Sequence, residues 1–417
     1  FPRSSLGARP TRPKMPPGSS SSPIQSSAAS SGVSRKKPGF FKSTSDVQEC
    51  GPQSAYLTFS DVGYKADGGA KILQGVSGVI SPGEVTAIMG ASGSGKTSLL
   101  QMLAGQRPPS TGELMLNGTT IGPSTKRHIG MLPQEDVILP TVTVEEAMHF
   151  SADLRLPATV SQEEKKERVD MLITALGLEK VRHSRIGDTR RRKGISGGEK
   201  KRCSIGLEMV YEPRVLLLDE PTSGLDSATT HQLLGVLREL ARKSNVAVAF
   251  TIHQPSNHVF DHFDKLLLLS SGRCAYFGPA SDALDHFKSL GHACPPLTNP
   301  AEFLLDLVTG TEIGPDEAAK LPELYAHSPA RARLDSALAH ALVCATPLKG
   351  KSKEGSFMLG RGGDGGGELE TFATSFLHQF RVLLSRAWIN TRRNPVSTHA
   401  ASGRSITMGL IVGGLFY

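Results

Sequence analysis

Residues 1–45 contain neither Asp nor Glu, and the whole chain has few cysteines and a single Trp. The missing acids say most. Eight of the 47 Lys and Arg fall in that stretch, from Arg3 to Lys42, so the net charge of +8 belongs to it and the rest balances its 39 Asp and Glu. A basic tail before a neutral body argues against a nucleic-acid partner, which calls for charge on a folded face. The five cysteines (Cys50, Cys203, Cys274, Cys294 and Cys344) form no Cys-x-x-Cys pair. That excludes a structural zinc site of the usual spacing and fits a reducing compartment. No internal repeat is present, which excludes solenoids and tandem copies of one domain.

Residues 1–46 are rich in Ser and Pro and poor in large apolar residues, so a disordered tail is expected. The same composition fits an organelle transit peptide. Apolar runs long enough to span a bilayer are missing as well. Ile406–Tyr417 is apolar but has only 12 residues where about 20 are needed, and it sits at the carboxyl end. With Phe1 in place of Met at the other end, the sequence reads as a fragment of a longer chain.

Between these ends the pattern is regular. Tyr56–Val62, Lys71–Ile80, Glu84–Met89 and Gly112–Asn117 read as short strands between Gly/Pro turns. Asn117-Gly118 is a favoured hairpin turn, a better reading than the glycosylation sequon it also spells. From Thr143 to Leu178 the period becomes helical, with capping boxes at Thr143/Glu146 and Ser161/Glu164. Strands and helices then alternate: Val215–Asp219, Ser227–Ser244, Val246–Ile252, His258–Phe263 and Lys265–Leu269. Alternation of this kind predicts a parallel sheet covered by helices, an α/β fold.

The chemistry-bearing segments punctuate that pattern. Gly90, Ala91, Ser92, Gly93, Ser94, Gly95, Lys96 and Thr97 complete G-x-x-x-x-G-K-[ST], after an apolar strand and before a helical run opened by Ser98. That is the context in which backbone amides cradle phosphates, a lysine meets the β- and γ-phosphates, and a threonine hydroxyl ligates Mg²⁺. Val215–Leu218 leads into Asp219 and Glu220, two acids at the carboxyl end of a buried strand, 123 residues after Lys96. Asp219 is the candidate Mg²⁺ holder and Glu220 the candidate general base toward water. Alone, these motifs give a P-loop NTPase binding ATP and Mg²⁺.

Gly194, Ile195, Ser196, Gly197, Gly198 and Glu199, followed by three basic residues, narrow the choice. A Ser and two Gly at a helix start make an anion site. The segment resembles the signature motif of ABC ATPases, with Glu199 where many members have Gln. The resemblance implies that this site meets the γ-phosphate held by a second copy. It further implies that Gln134 is the Q-loop glutamine, near Mg²⁺ and the attacking water. Asp226, in Ser223–Asp226, matches the D-loop, and His253 matches the switch histidine. The adenine-stacking aromatic is left open between Tyr64, Phe59 and neither.

Lys96 and Ser196 are 100 residues apart, too close for the coiled coils of repair-type members, and one P-loop excludes the two-domain translation type. Phe372, Phe376, Phe380, Leu383, Leu384 and Trp388 recur at helical spacing among arginines, as in a soluble core helix or an amphipathic helix at a membrane surface. An ATPase domain before membrane helices resembles the G subfamily, the white/brown-complex half-transporters. Asn299–Asp306, Arg386–Trp388 and Arg393–Pro395 support that resemblance over about residues 55–417. The expected organisation is a tail (1–46), an ATP-binding domain (55–310) with a helical subdomain at about 136–210, and a helical extension (311–346). A Gly/Lys-rich linker (347–368), an amphipathic connecting helix (371–395) and the start of a transmembrane helix (405–417) follow. The resemblance implies a membrane-bound dimer, its ATPase domain cytoplasmic and its membrane left open, that of an organelle included, moving a lipid-like or amphipathic substrate. A soluble or regulatory ABC-type ATPase is the alternative.

Overall fold

The computed structural model describes residues 54–66, 68–187, 194–253, 255–345 and 373–416. The expected tail and Gly/Lys-rich linker lie outside the described residues. Ten strands follow in chain order: β1 Leu57–Lys65, β2 Lys71–Ile80, β3 Val85–Gly90, β4 Thr111–Leu116, β5 Thr119–Thr120, β6 Ile129–Leu132, β7 Val215–Leu218, β8 Ala247–Thr251, β9 Lys265–Ser270 and β10 Arg273–Pro279.

Two sheets result. The smaller is antiparallel, in the order β2-β1-β4-β5, and the larger has the order β10-β9-β3-β8-β7-β6. In the larger sheet β9, β3, β8, β7 and β6 run parallel, and only β10 is antiparallel. Every residue of β7 is buried, as expected of a parallel strand covered on both faces. The sheets share one hydrophobic core, and Phe59 of β1 meets Phe277 of β10 edge-on, ring centroids 6.5 Å apart. Phe59 is therefore a core residue and is removed from the candidates for base stacking.

Two glycine turns set strand register. Asn117 (φ 47°) and Gly118 (φ 69°) link β4 to β5, and Ser271 (φ 47°) and Gly272 (φ 79°) link β9 to β10. Both pairs are left-handed throughout, the turn that matches strand twist. β6 and β10 go beyond the strands expected from sequence. Gly130 and a length of four residues hid β6, while β10 mixes Cys, Tyr and Phe without clear alternation.

The helical segment lies between β6 and β7. Helix Val144–Arg155 starts at Thr143 and helix Gln162–Ala175 at Ser161, each with the expected capping box. Helix Gly197–Met209 follows. After β10 the chain is helical at Pro300–Thr309, Pro315–Ala318, Leu321–Ala326 and Pro329–Val343. Cys203, Cys274 and Cys294 are free thiols, but Cys344 is disulfide-bonded, which departs from the expectation of reduced cysteines.

Helix Phe376–Arg393 docks on the helical segment through polar groups. The Arg393 guanidinium donates to both carboxylate oxygens of Glu146, at 2.6 and 2.8 Å, and to the Thr141 carbonyl oxygen at 3.2 Å. Thr141 Oγ1 donates to Asn390 Oδ1 at 2.7 Å, and a His378 ring nitrogen lies 3.0 Å from the Asp153 carbonyl oxygen. Val382 is buried, but Phe376 (77%) and Trp388 (68%) are exposed. Helix Pro395–Phe416 follows directly, beginning ten residues before the expected start at 405. Among the described residues no helix is long and apolar enough to cross a membrane.

Glu146 thus holds two partners, since its carboxylate also caps the Thr143 amide at 3.0 Å. The Arg393 hydrogen bond, with the Thr143 amide, holds its pKa below the ordinary 4.5. A depressed folded value means that this carboxylate stabilises docking above pH 4.5 and ceases to as pH falls through the lowered value. Trp388, the only tryptophan, sits on the outer side of the docked helix, where its fluorescence anisotropy reports the helix's release. Acid titration of its fluorescence is expected to show a transition below pH 4.5, and Arg393→Gln should move that transition upward. Identical profiles would show that the pair does not control docking.

Candidate functional site

Parallel pairing carries four loops to one edge of the larger sheet. Leu218 of β7 pairs with Leu132 of β6 and with Phe250 of β8, and Ile88 of β3 pairs with Thr251. The residues just past those pairs therefore lie side by side: Gly90–Thr97 after β3, Gln134 after β6, Asp219 and Glu220 after β7, and His253 after β8. The carboxyl edge of a parallel sheet is where such folds bind ligands.

The loop after β3 is shaped by glycine. A Cβ on Gly90 (φ 152°) would lie 2.5 Å from the Leu269 carbonyl oxygen, and one on Gly95 (φ 95°) would lie 2.6 Å from Leu73 Cδ2. No other residue fits either place. Ser94 keeps a buried hydroxyl with no hydrogen-bond partner. Lys96, first residue of helix Lys96–Leu103, is buried, and its ammonium donates to the carbonyl oxygens of Gly90 (2.8 Å) and Ala91 (2.9 Å). Burial pushes its pKa below the ordinary value, and Glu220 and Asp219 pull it back up. Ala91, Ser92, Gly93, Thr97 and Ser98 complete the rim and are at least partly exposed.

Behind the loop runs a line of hydrogen bonds. Thr97 Oγ1 donates to Asp219 Oδ1 at 3.3 Å, and Thr251 Oγ1 donates to the same oxygen at 2.6 Å. Thr251 Oγ1 in turn accepts from the Glu220 amide at 2.8 Å. Glu220 has φ 44°, a left-handed conformation uncommon outside glycine, and Thr251 holds it there. Gln134 Nε2 donates to Glu220 Oε2 at 2.8 Å. Five residues are therefore joined, with the link from Thr251 to Glu220 running through the Glu220 amide: Thr97, Asp219, Thr251, Glu220 and Gln134.

This arrangement suits a nucleotide with a divalent cation. The glycine cradle, the orphan Ser94 hydroxyl and the inward ammonium match phosphate oxygens. Thr97 and Asp219 present two hard oxygen donors at one point, the ligand type Mg²⁺ takes. His253 is exposed at the end of β8. Tyr64 is partly buried, its hydroxyl accepting from Arg107 at 3.0 Å.

Ser196–Glu199 stands apart. Ser196 caps helix Gly197–Met209, its hydroxyl accepting from the Glu199 amide at 3.3 Å. The Glu199 carboxylate accepts from the Ser196 amide and from its hydroxyl, both at 2.8 Å. Gly198 has no room for a Cβ, which would lie 2.2 Å from Thr229 Cγ2 on helix Ser227–Ser244. Asp226 precedes that helix as its N-cap residue, without a side-chain capping bond. Among the described residues no hydrogen bond joins Ser196–Glu199 or Asp226 to the Gly90–Thr97 loop.

Sequence reasoning missed Thr251, whose hydroxyl is the junction between Asp219 and Glu220. Its only signal was a hydroxyl at the end of an apolar strand, two residues before His253. Thr251→Val keeps the shape and removes the hydroxyl, leaving the Glu220 amide unpaired. Stability is expected to fall by about 1–3 kcal/mol, measured by urea denaturation. Unchanged stability would mean that water replaces the hydroxyl at no cost.

A family model described as ABC transporter matches residues 73–223, and one described as ABC-2 type transporter matches residues 253–327. The second segment holds β9, β10 and helices packed on the common core, so that match does not locate a membrane span. The broad substrate specificity ATP-binding cassette transporter ABCG2 of Sus scrofa is 36% identical over 410 residues, covering 92% of this chain and 61% of that protein. ABC transporter G family member 26 of Arabidopsis thaliana is 48% identical over 245 residues, covering 58% of this chain and 36% of that protein. The chain thus spans less than two thirds of the length of these relatives. The solved structure of cbiO1 from Clostridium perfringens, part of the ABC transporter complex cbiONQ, superposes with a TM-score of 0.50 at 26% identity, covering 56% of this chain and 92% of that one. On these matches the chain belongs to the ABC transporter family, within its G subfamily.

Proposed function

We propose that this chain is the ATP-hydrolysing part of a half-transporter that couples ATP binding and hydrolysis to movement of an amphipathic or lipid-like substrate across a membrane. The observation that carries the reading is the hydrogen-bonded line Thr97–Asp219–Thr251–Glu220–Gln134 behind the glycine loop.

The loop amides and Lys96 bind and orient the triphosphate. Thr97, Asp219 and Gln134 are the residues that would hold Mg²⁺, which when bound neutralises charge on the β- and γ-phosphate oxygens. Glu220 takes the proton of the water that attacks the γ-phosphorus, and the bond to the bridging oxygen of ADP breaks. Gln134 fixes the carboxylate through its Oε2, and Thr251 fixes the backbone beneath it. His253, at the end of the neighbouring strand, is the candidate contact to the γ-phosphate.

Ser196, Gly197, Gly198 and Glu199 serve a second copy or a related half-transporter. Their helix start offers donors to an anion yet has no hydrogen bond to its own chain's loop among the described residues. Asp226 lies beside them and is the candidate link between the two sites. A dimer that sandwiches two nucleotides uses both halves of each chain.

Membrane attachment is supported by helix Phe376–Arg393. Phe376, Leu377, Phe380, Leu384 and Trp388 are exposed on it, and Arg381, Arg386 and Arg392 accompany them. An apolar face flanked by arginines suits the boundary between headgroups and acyl chains. In helix Pro395–Phe416, Ile406, Met408, Leu410, Ile411 and Val412 are likewise exposed, as lipid-facing residues at the start of a span would be. Basic residues before it favour a cytoplasmic ATPase domain.

Glu220→Gln preserves the acceptor for Gln134 and removes the base. ATP turnover, followed by phosphate release, is expected to fall about 100-fold or more, with binding of a fluorescent nucleotide retained. Undiminished turnover would remove Glu220 from the role of base.

A further inference from the structure

Lys201 is a buried lysine that the proposed hydrolysis does not use. It lies on helix Gly197–Met209, five residues after Ser196, with its side chain only 5% exposed. Its ammonium donates to the Gln134 carbonyl oxygen at 3.1 Å and pairs with Asp136 Oδ1 at 3.0 Å. Ser204, one turn further along the helix, donates to the same Asp136 oxygen at 2.7 Å. The strand of chain just past Gln134 is therefore fastened at two points to the helix that Ser196 caps. At its other end Gln134 holds Glu220 Oε2.

A lysine buried at this depth needs partners. Taking an ammonium out of water costs several kcal/mol unless it is paired and hydrogen-bonded, and an apolar residue at the same place would avoid that cost. What the lysine adds is a fixed link between two groups with different duties. One is the glutamine that orients the candidate base, and the other is the helix start that faces a second copy's nucleotide.

We propose that Lys201 is a positioning residue: through the Gln134 carbonyl it sets the Gln134–Glu220 hydrogen bond, and through its helix it ties that geometry to the position of Ser196. This rests on the hydrolysis reading given above. A shift of the Ser196 helix as a second copy's nucleotide engages it moves the Lys201 ammonium, and with it the backbone that carries Gln134. Each copy's base then responds to occupancy of the other copy's site.

Lys201→Met strands the Asp136 carboxylate and should lower thermal stability. The double variant Lys201→Met/Asp136→Leu removes the whole pair, and Ser204 keeps its second acceptor, the Lys200 carbonyl oxygen at 3.1 Å. Replacing a buried pair by apolar residues is commonly neutral or stabilising, so the double variant should regain wild-type melting. A positioning role predicts that its kcat for ATP stays roughly ten- to hundred-fold down, with KM within about two-fold of wild type. A purely structural role predicts that kcat returns with stability, and that result would overturn the proposal. Amide hydrogen exchange over residues 134–138 in the nucleotide-free protein reads the link without turnover. Exchange there should quicken in the double variant while β7 and β8 keep their protection, and unchanged exchange would equally overturn it. Because this readout does not depend on hydrolysis, it separates failure of the link from failure of Glu220 as base.

Discussion

The register of four parallel strands governs nearly everything at the candidate site. Pairing of Leu218 with both Leu132 and Phe250 puts Asp219 beside Thr251 and leaves Gln134 two residues beyond the end of β6. Side chains alternate faces along a strand, so a slip of one residue would turn the Thr251 hydroxyl to the opposite face and break its bonds to Asp219 and Glu220. The complete burial of β7 makes such a slip costly, because the strand has no polar face to offer. Apolar packing in the sheet therefore fixes the polar geometry at its edge.

That geometry is divided between two bodies of structure. Lys96, Thr97, Asp219, Glu220 and Thr251 stand at the edge of the sheet, whereas Ser196 and Glu199 stand at the start of a helix of the intervening segment. Gln134 is at the crossing point, its side chain bound to the sheet's Glu220 and its carbonyl to the helix's Lys201. The segment is tethered a second time at Glu146, which caps its own helix and also receives Arg393. The segment is therefore joined to the sheet at Gln134 on one side and to the docked helix Phe376–Arg393 on the other.

The parts of this site that were legible in the sequence share one property: they are local. The glycine loop, the Asp219–Glu220 pair, the capping boxes at Thr143 and Ser161 and the turn at Asn117-Gly118 each depend on residues within a few positions of one another. Thr251 was not legible because its role arises from pairing with a strand 32 residues away, and inside an apolar run it looks like an ordinary β-branched residue. Lys201 was hidden for a related reason, since a basic run after a helix start reads as a solvated face. Its burial is decided by Asp136, 65 positions earlier. The Phe376–Trp388 pattern was visible as amphipathic, yet spacing alone could not tell which face docks. Arg393, Asn390 and His378 settle that, leaving the aromatic side outward.

Glu199 shows how one substitution within a motif changes the resting state of the half-site. A glutamine at this position would meet the helix start with a neutral amide. The carboxylate brings a full negative charge to the positive end of the helix dipole, where it is stabilised. It also occupies both the amide and the hydroxyl of Ser196. The first-turn amides of Gly197 and Gly198 have no intrahelical partner, so an arriving phosphate finds donors there but meets a competing anion on Ser196. In the dimer proposed above, engagement by a second copy's nucleotide would require the Ser196 hydroxyl to turn from Glu199 toward phosphate, an exchange of one acceptor for another. Because the helix that carries Ser196 also carries Lys201, that exchange takes place on the same rigid element that holds the Gln134 carbonyl.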